Sequence, residues 1–160
     1  MKILEGKESE SALELLLRTA DVAKNATCLR AKCGSLIIKD NRIIGVGFNS
    51  PPGDLESQRR CHCEKDSYHK KVTDKTCCMH AEERAIKDAL ASYPDKLKGS
   101  RLYFVRLKNE QPARSGKPYC TKCSKAALDA GIAEFVLWHK EGITVYNTEE
   151  YNKLSYEYKE

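Results

Sequence analysis

The chain has 160 residues, of which 41% are hydrophobic and 32% charged, with eight cysteines and a formal net charge of +5. That length suits a single domain, residues 1–160, and its short apolar runs exclude a bilayer-spanning helix, which needs roughly 20 apolar residues. The opening MKILEGKESE breaks at Glu5, well short of a secretory apolar region, so the sequence reads as a soluble, cytoplasmic protein without a membrane partner.

Ser11 and Glu14 have the spacing of a capping box, and Leu13, Leu16, Leu17 and Ala20 follow helical periodicity. This predicts a first helix from Ser11 to near Lys24. Ser35 to Lys39 and Arg42 to Phe48 are rich in Ile, Leu and Val and flank Asp40-Asn41, a pair that tolerates the positive φ angles of a tight hairpin. Ser50 to Met79 offers almost nothing to bury and carries Cys61, Cys63, Cys77, Cys78, His62 and His69. A loop of that length in a small domain calls for a function or a staple. A second helix is expected from His80 to about Tyr93, a strand at Arg101 to Lys108, a polar loop from Asn109 to Pro118, and a third helix from about Cys120 to Ala130 stopped by Gly131. Glu134 to Trp138 and Ile143 to Tyr146 are separated too briefly for a parallel crossover, so they are predicted to pair antiparallel. A polar helix from about Thr148 ends the chain. The expected architecture is three layers, α/β/α, with a five-stranded mixed sheet and helices on both faces.

In a reducing compartment disulfides rarely persist, so the cysteines point to metal or catalysis. On the second helix, Glu82 shares a stripe with Ala85, Ile86 and Ala89, which turns a carboxylate toward the core. Such a group is either a salt-bridged core residue or a proton shuttle whose pKa burial has raised toward neutrality. His80 begins this helix, while Cys120 and Cys123 share the first turn of the third, where the helix dipole favours thiolates. One imidazole and two thiolates suit Zn²⁺ and leave a fourth position open, the pattern of a catalytic zinc.

His80-Ala81-Glu82 followed by Pro118-Tyr119-Cys120-Thr121-Lys122-Cys123 resembles the zinc-dependent cytidine and deoxycytidylate deaminase superfamily, closest to the deoxycytidylate enzymes. Thr27-Cys28-Leu29-Arg30, Gly34 and Gly47-Phe48-Asn49-Ser50-Pro51 extend the likeness over most of the chain. The resemblance implies that His80, Cys120 and Cys123 bind a catalytic zinc, that a zinc-activated water attacks C4 of cytosine, and that Glu82 moves protons to N3 and the leaving ammonia. It also implies Asn49 near the sugar, the Ala81 backbone near the base, Arg30 at a phosphate and a homo-oligomer of two or more chains. Tyr119, between the family proline and the first cysteine, either stacks on a base or packs under the loop. By the same resemblance Cys28 and Cys78 match ligands of a second, structural zinc, which Cys61 and Cys63 would complete, stapling the loop at about 50–79. His62, His69 and Cys77 are alternative ligands. Cys33 reads as core.

The expected activity is hydrolytic deamination of a cytosine nucleotide, dCMP giving dUMP and ammonia. Deaminases of a nucleoside, a free base or a polynucleotide base (cytidine, guanine, adenosine) are alternatives, as is a non-catalytic zinc-stapled nucleic-acid-binding module. The dispersed positive charge and 8% aromatic content weigh against a nucleic-acid groove.

Overall fold

Strands form where β-branched and aromatic residues cluster, and helices where apolar residues recur every three or four positions. The computed structural model describes residues 1–160. In chain order its main elements are β1 (Lys2–Ile3), α1 (Gly6–Ala23), β2 (Lys32–Lys39), β3 (Arg42–Phe48), α2 (Ala81–Ser92), β4 (Arg101–Lys108), β5 (Gln111–Ala113), α3 (Thr121–Ala130), β6 (Glu134–His139), β7 (Gly142–Asn147) and α4 (Thr148–Tyr156). One sheet runs β1-β7-β6-β4-β2-β3, and β5 pairs with the end of β4 that β6 does not reach. Only β4 and β6 are parallel, with α3 between them in the chain; β6 and β7 are antiparallel, as their short link requires.

The sheet has seven strands where five were expected. The additional two are short. β1 is a two-residue strand on the edge of β7, too brief to show a sequence period. β5 folds back onto β4 through Asn109 and Glu110, both at positive φ, so the expected polar loop begins as a hairpin. The remainder of that loop is pinned to β6: Ser115 N donates to the Trp138 carbonyl at 2.8 Å, and Arg114 lies 3.5 Å above the Trp138 ring.

The first helix also departs from expectation, starting at Gly6 instead of Ser11, with Glu5 as an N-cap that makes no side-chain bond. Residues 7–10 are polar but good helix formers, so the Ser11–Glu14 spacing is one turn inside the helix and not its cap. The hairpin at Asp40-Asn41 has φ of 49° and 59°, and Gly131 closes α3 at φ 87°.

Two apolar cores sandwich the sheet. On one face α1 packs Ala12, Leu16 and Ala20 against Leu36, Tyr103 and Val136. On the other, Ala85 and Ala89 of α2, Ala127 of α3 and Tyr151 of α4 meet Ile37, Leu102 and Phe135. The single residues that alternate along β2, β4 and β6 supply both layers. No helix is long and apolar enough to cross a membrane.

The segment between β3 and α2 contains only short 3₁₀ turns. Arg84 of α2 anchors its start, donating to the carbonyls of Phe48 at 3.3 Å and Pro51 at 2.9 Å and to the Ser50 hydroxyl. Lys122 of α3 anchors its end through Asp74, and also pairs with Glu83 of α2 at 3.3 Å.

Candidate active site

The N-termini of α2 and α3 meet on the face of the sheet away from α1. His80 precedes the first turn of α2, Cys120 caps α3 and Cys123 lies in its first turn. Nδ1 of His80 is 3.1 Å from Sγ of Cys123 and 3.3 Å from Sγ of Cys120. The backbone N–H of Cys123 donates to the Cys120 sulfur at 3.4 Å, so the cap residue is also a candidate ligand. Hydrogen bonds from Cys123 and His80 hold the Cys120 thiol down at about 5, and the bond to Cys120 raises His80 to about 9. The cluster therefore carries anionic sulfur at neutral pH. An imidazole nitrogen and two sulfurs, all within 4.8 Å of one another, are a donor set that fits zinc with its fourth position free.

Glu82 is 6% exposed and sits two residues beyond His80. Burial, and next the charge of Cys120, push its carboxyl up to about 7. It has no ion-pair partner, which removes the salt-bridged reading. A carboxyl poised near neutrality beside a metal-ligand cluster is suited to accept and return a proton.

His80, Glu82 and Cys120 form one wall of a pocket of about 240 Å³, with Cys123 buried behind them. Asn49 lines it, 9% exposed; its Oδ1 accepts from Cys33 N and its Nδ2 donates to the Ala31 carbonyl, both at 2.8 Å. Ala81, the first residue of α2, is fully buried at the pocket floor. Tyr119 stands at the mouth, 59% exposed, its ring 5.9 Å from that of Tyr158. Arg30 lines the rim, where its Nε donates to the Cys61 carbonyl at 2.8 Å and its Nη2 to the Cys63 carbonyl. Cys33, expected in the core, lines the pocket because β2 begins three residues earlier than the sequence suggests. Phe104, Arg106 and Tyr151 also line it and were not foreseen. The alternation of β4 puts Phe104 and Arg106 on one face and is a usable signal. Tyr151 gives none, since α4 is polar along most of its length.

A second cluster borders the same pocket. The sulfurs of Cys28, Cys61 and Cys78 lie within 4.8 Å of one another. Cys63 is not among them. The neighbouring sulfur is that of Cys77, 3.7 Å from Cys61, while Cys78 is 3.4 Å from Cys61. Although burial opposes it, the Cys61 thiol is drawn down to about 6 by the Leu29 backbone, by Cys78 and Cys77, and by Arg59, whose Nη1 donates to its sulfur at 3.3 Å.

Comparison with known proteins places this geometry. The cytidine and deoxycytidylate deaminase zinc-binding region matches residues 7–139. A deoxycytidylate deaminase of Saccharomyces cerevisiae is 28% identical over 146 residues, 85% of this chain and 42% of the yeast protein. One of Mycobacterium phage D29 is 28% identical over 125 residues, 74% of this chain and 86% of the phage protein. The chain thus spans less than half the length of the yeast relative. The crystal structure of dCMP deaminase from the cyanophage S-TIM5 in complex with dCMP and dUMP shares the fold, with a TM-score of 0.53 and 20% identity over 82% of this chain and 81% of that one. With a match that takes in both helix starts and the sheet between them, the chain belongs to the cytidine and deoxycytidylate deaminase zinc-binding family.

Proposed function

We propose that the protein is a zinc-dependent hydrolase that deaminates a cytosine nucleotide, converting dCMP to dUMP and ammonia. The observation that carries this reading is the unpaired, buried Glu82 beside His80, Cys120 and Cys123 at the wall of a pocket. A zinc ion held by those three side chains supplies a Lewis acid that lowers the pKa of water to roughly 7.

Glu82 accepts the proton that the attacking water gives up and passes it to N3 of the ring. It then takes the second proton, from the hydroxyl now on C4, and delivers it to the exocyclic nitrogen, so that ammonia leaves as the C4 carbonyl forms. Its elevated pKa suits both directions of transfer. Asn49 spends one amide N–H on Ala31 and keeps the second for a sugar hydroxyl. The N–H of Ala81, among the unsatisfied donors of a helix start, is available to the base. Tyr119 at the mouth offers an aromatic face to the bound ring. Arg30, Lys65 and Arg106 line the pocket without ion-pair partners, which supports an anionic nucleotide over a neutral nucleoside.

The reading includes a second, structural zinc on Cys28, Cys61 and Cys78, closed by a fourth thiolate. The 3.7 Å approach to Cys61 favours Cys77 over Cys63 for that place. A metal there supplies folding energy to a segment with little apolar burial. Eight free thiols suit a reducing compartment, which supports a cytoplasmic setting. A single domain over residues 1–160 and a homo-oligomeric state belong to the same reading, the latter on the strength of the resemblance alone.

Ammonia release across dCMP, CMP, deoxycytidine, cytidine, cytosine, guanine and adenosine tests the reading. The expected result is the highest kcat/KM on dCMP. Release from none of them by zinc-loaded protein overturns it.

A further inference from the structure

Tyr151 projects from α4 toward the pocket and is only 5% exposed. Its ring is fixed: it stacks on Phe135 with centroids 4.1 Å apart and planes at 20°, and meets Tyr146 edge-on at 5.9 Å. The helix that carries it is itself anchored, since the Ser124 hydroxyl of α3 donates to Asn152 Oδ1 at 2.8 Å and Asn147 caps α4. Buried phenol hydroxyls ordinarily find a hydrogen-bond partner. The Tyr151 hydroxyl makes no hydrogen bond within the protein, and it is not a sealed polar atom as Thr148 Oγ1 is, because the residue borders the pocket. Among charged groups, the Glu82 carboxylate acts on it most strongly, ahead of Cys123 and Cys120. A rigid, nearly buried hydroxyl without a partner, facing the space beside Glu82, lacks only a ligand atom.

We propose that Tyr151 is a substrate-contacting residue whose hydroxyl hydrogen-bonds the aminopyrimidine ring held beside Glu82. This rests on the deaminase reading above and adds a recognition group that the zinc-ligand motifs do not contain. The ring is held against the Phe135 stack, so the hydroxyl meets the base without a change of rotamer, and little ordering is needed on binding. An oxygen that can both donate and accept matches a ring edge presenting both kinds of group. Burial, and next the charge of Glu82, keep the phenol protonated far above neutral pH, so it acts as a neutral hydrogen-bonding group and not as a base.

The test compares wild type, Tyr151→Phe and Tyr151→Leu in dCMP deamination, zinc per chain and Tm. Phe keeps the stack on Phe135 and removes only the oxygen. For Tyr151→Phe, kcat/KM is expected to fall on the order of 10-fold, the scale of one lost hydrogen bond to substrate, with zinc content and Tm at wild-type values. Tyr151→Leu is expected to lose Tm as well. A Tyr151→Phe enzyme within about twofold of wild-type kcat/KM overturns the proposal, and so does a fall in activity accompanied by an equal loss of zinc or Tm, which assigns the residue to packing. A zinc-loaded wild type inactive on every cytosine compound overturns the deaminase reading itself, and this inference with it.

Discussion

Gly47 of β3 lies so close to Ala81 of α2 that a Cβ added to it would stand 2.1 Å from the Ala81 carbonyl oxygen and 2.5 Å from the Ala85 nitrogen. Backbone cannot yield to that contact as a flexible side chain would, so the helix start must move. Because His80 and Glu82 flank Ala81, the strain falls on the site. Gly47→Ala is expected to cost about 1–3 kcal/mol of stability, the range for overpacking, and to weaken zinc retention. Thermal denaturation and zinc content after dialysis check both; a variant unchanged in each contradicts the close approach.

Glu82→Gln keeps the size of the side chain and removes its proton chemistry. It is expected to hold the catalytic zinc while kcat falls by roughly 10²–10⁴-fold. Ammonia release measured together with zinc content separates this from Cys120→Ser, which removes a ligand and is expected to lose both metal and activity. Near-wild-type turnover by Glu82→Gln would assign the proton transfers elsewhere.

For the second cluster, zinc stoichiometry is expected near two per chain in wild type and near one in Cys78→Ala. Cys77→Ser is expected to lower it and Cys63→Ser to leave it unchanged, because only Cys77 stands 3.7 Å from Cys61. The reverse order would return Cys63 to the ligand set.

Asp54 gives a pH-dependent test of the loop anchor. The Ser50 hydroxyl, and next Arg84, hold its carboxyl below the usual 3.8. A carboxyl lowered in the folded state stabilises fully above the unfolded value of 3.8 and ceases to do so as pH falls through the lower, folded one. Asp54→Asn is therefore expected to reduce stability above pH 3.8 and to narrow its difference from wild type as pH drops below that value. The effect is small, since the group is largely solvated. Denaturant midpoints between pH 3 and 7 follow it, and a constant difference would exclude Asp54 as the titrating group.

His80, Glu82, Cys120 and Cys123 were legible because each sits at a helix start with a spacing that chemistry constrains. The hairpin at Asp40-Asn41 and the stop at Gly131 were legible because backbone φ restricts which residues can stand there. The start of α1 was misjudged because a capping-box spacing also occurs inside any helix. β1 and β5 exist through pairing with β7 and β4, a tertiary effect that two or three residues cannot encode alone. Arg30, expected at a phosphate, stands on the pocket rim, and the two loop carbonyls to which its guanidinium donates are partners defined only once the chain has folded. Tyr151 lay beyond reach for the same reason: a lone tyrosine on a polar helix announces nothing until Phe135 is beneath it.

The pocket borrows part of its wall from a stretch that hydrophobic packing hardly supports. Arg30, Arg59 and Arg84 hold that stretch through carbonyls and side chains around it, while Lys70 and Lys71 stand exposed near its middle. Because Cys61, Lys65, Thr76, Cys77 and Cys78 of the segment line the cleft, a molecule bound against them adds contacts to the segment, and loosening the segment removes contacts from the molecule. Tryptic cleavage after Lys70 or Lys71 is accordingly expected to slow when dUMP is added and to quicken after chelation, so that nicking at this lysine pair becomes a gauge of how full the cleft is.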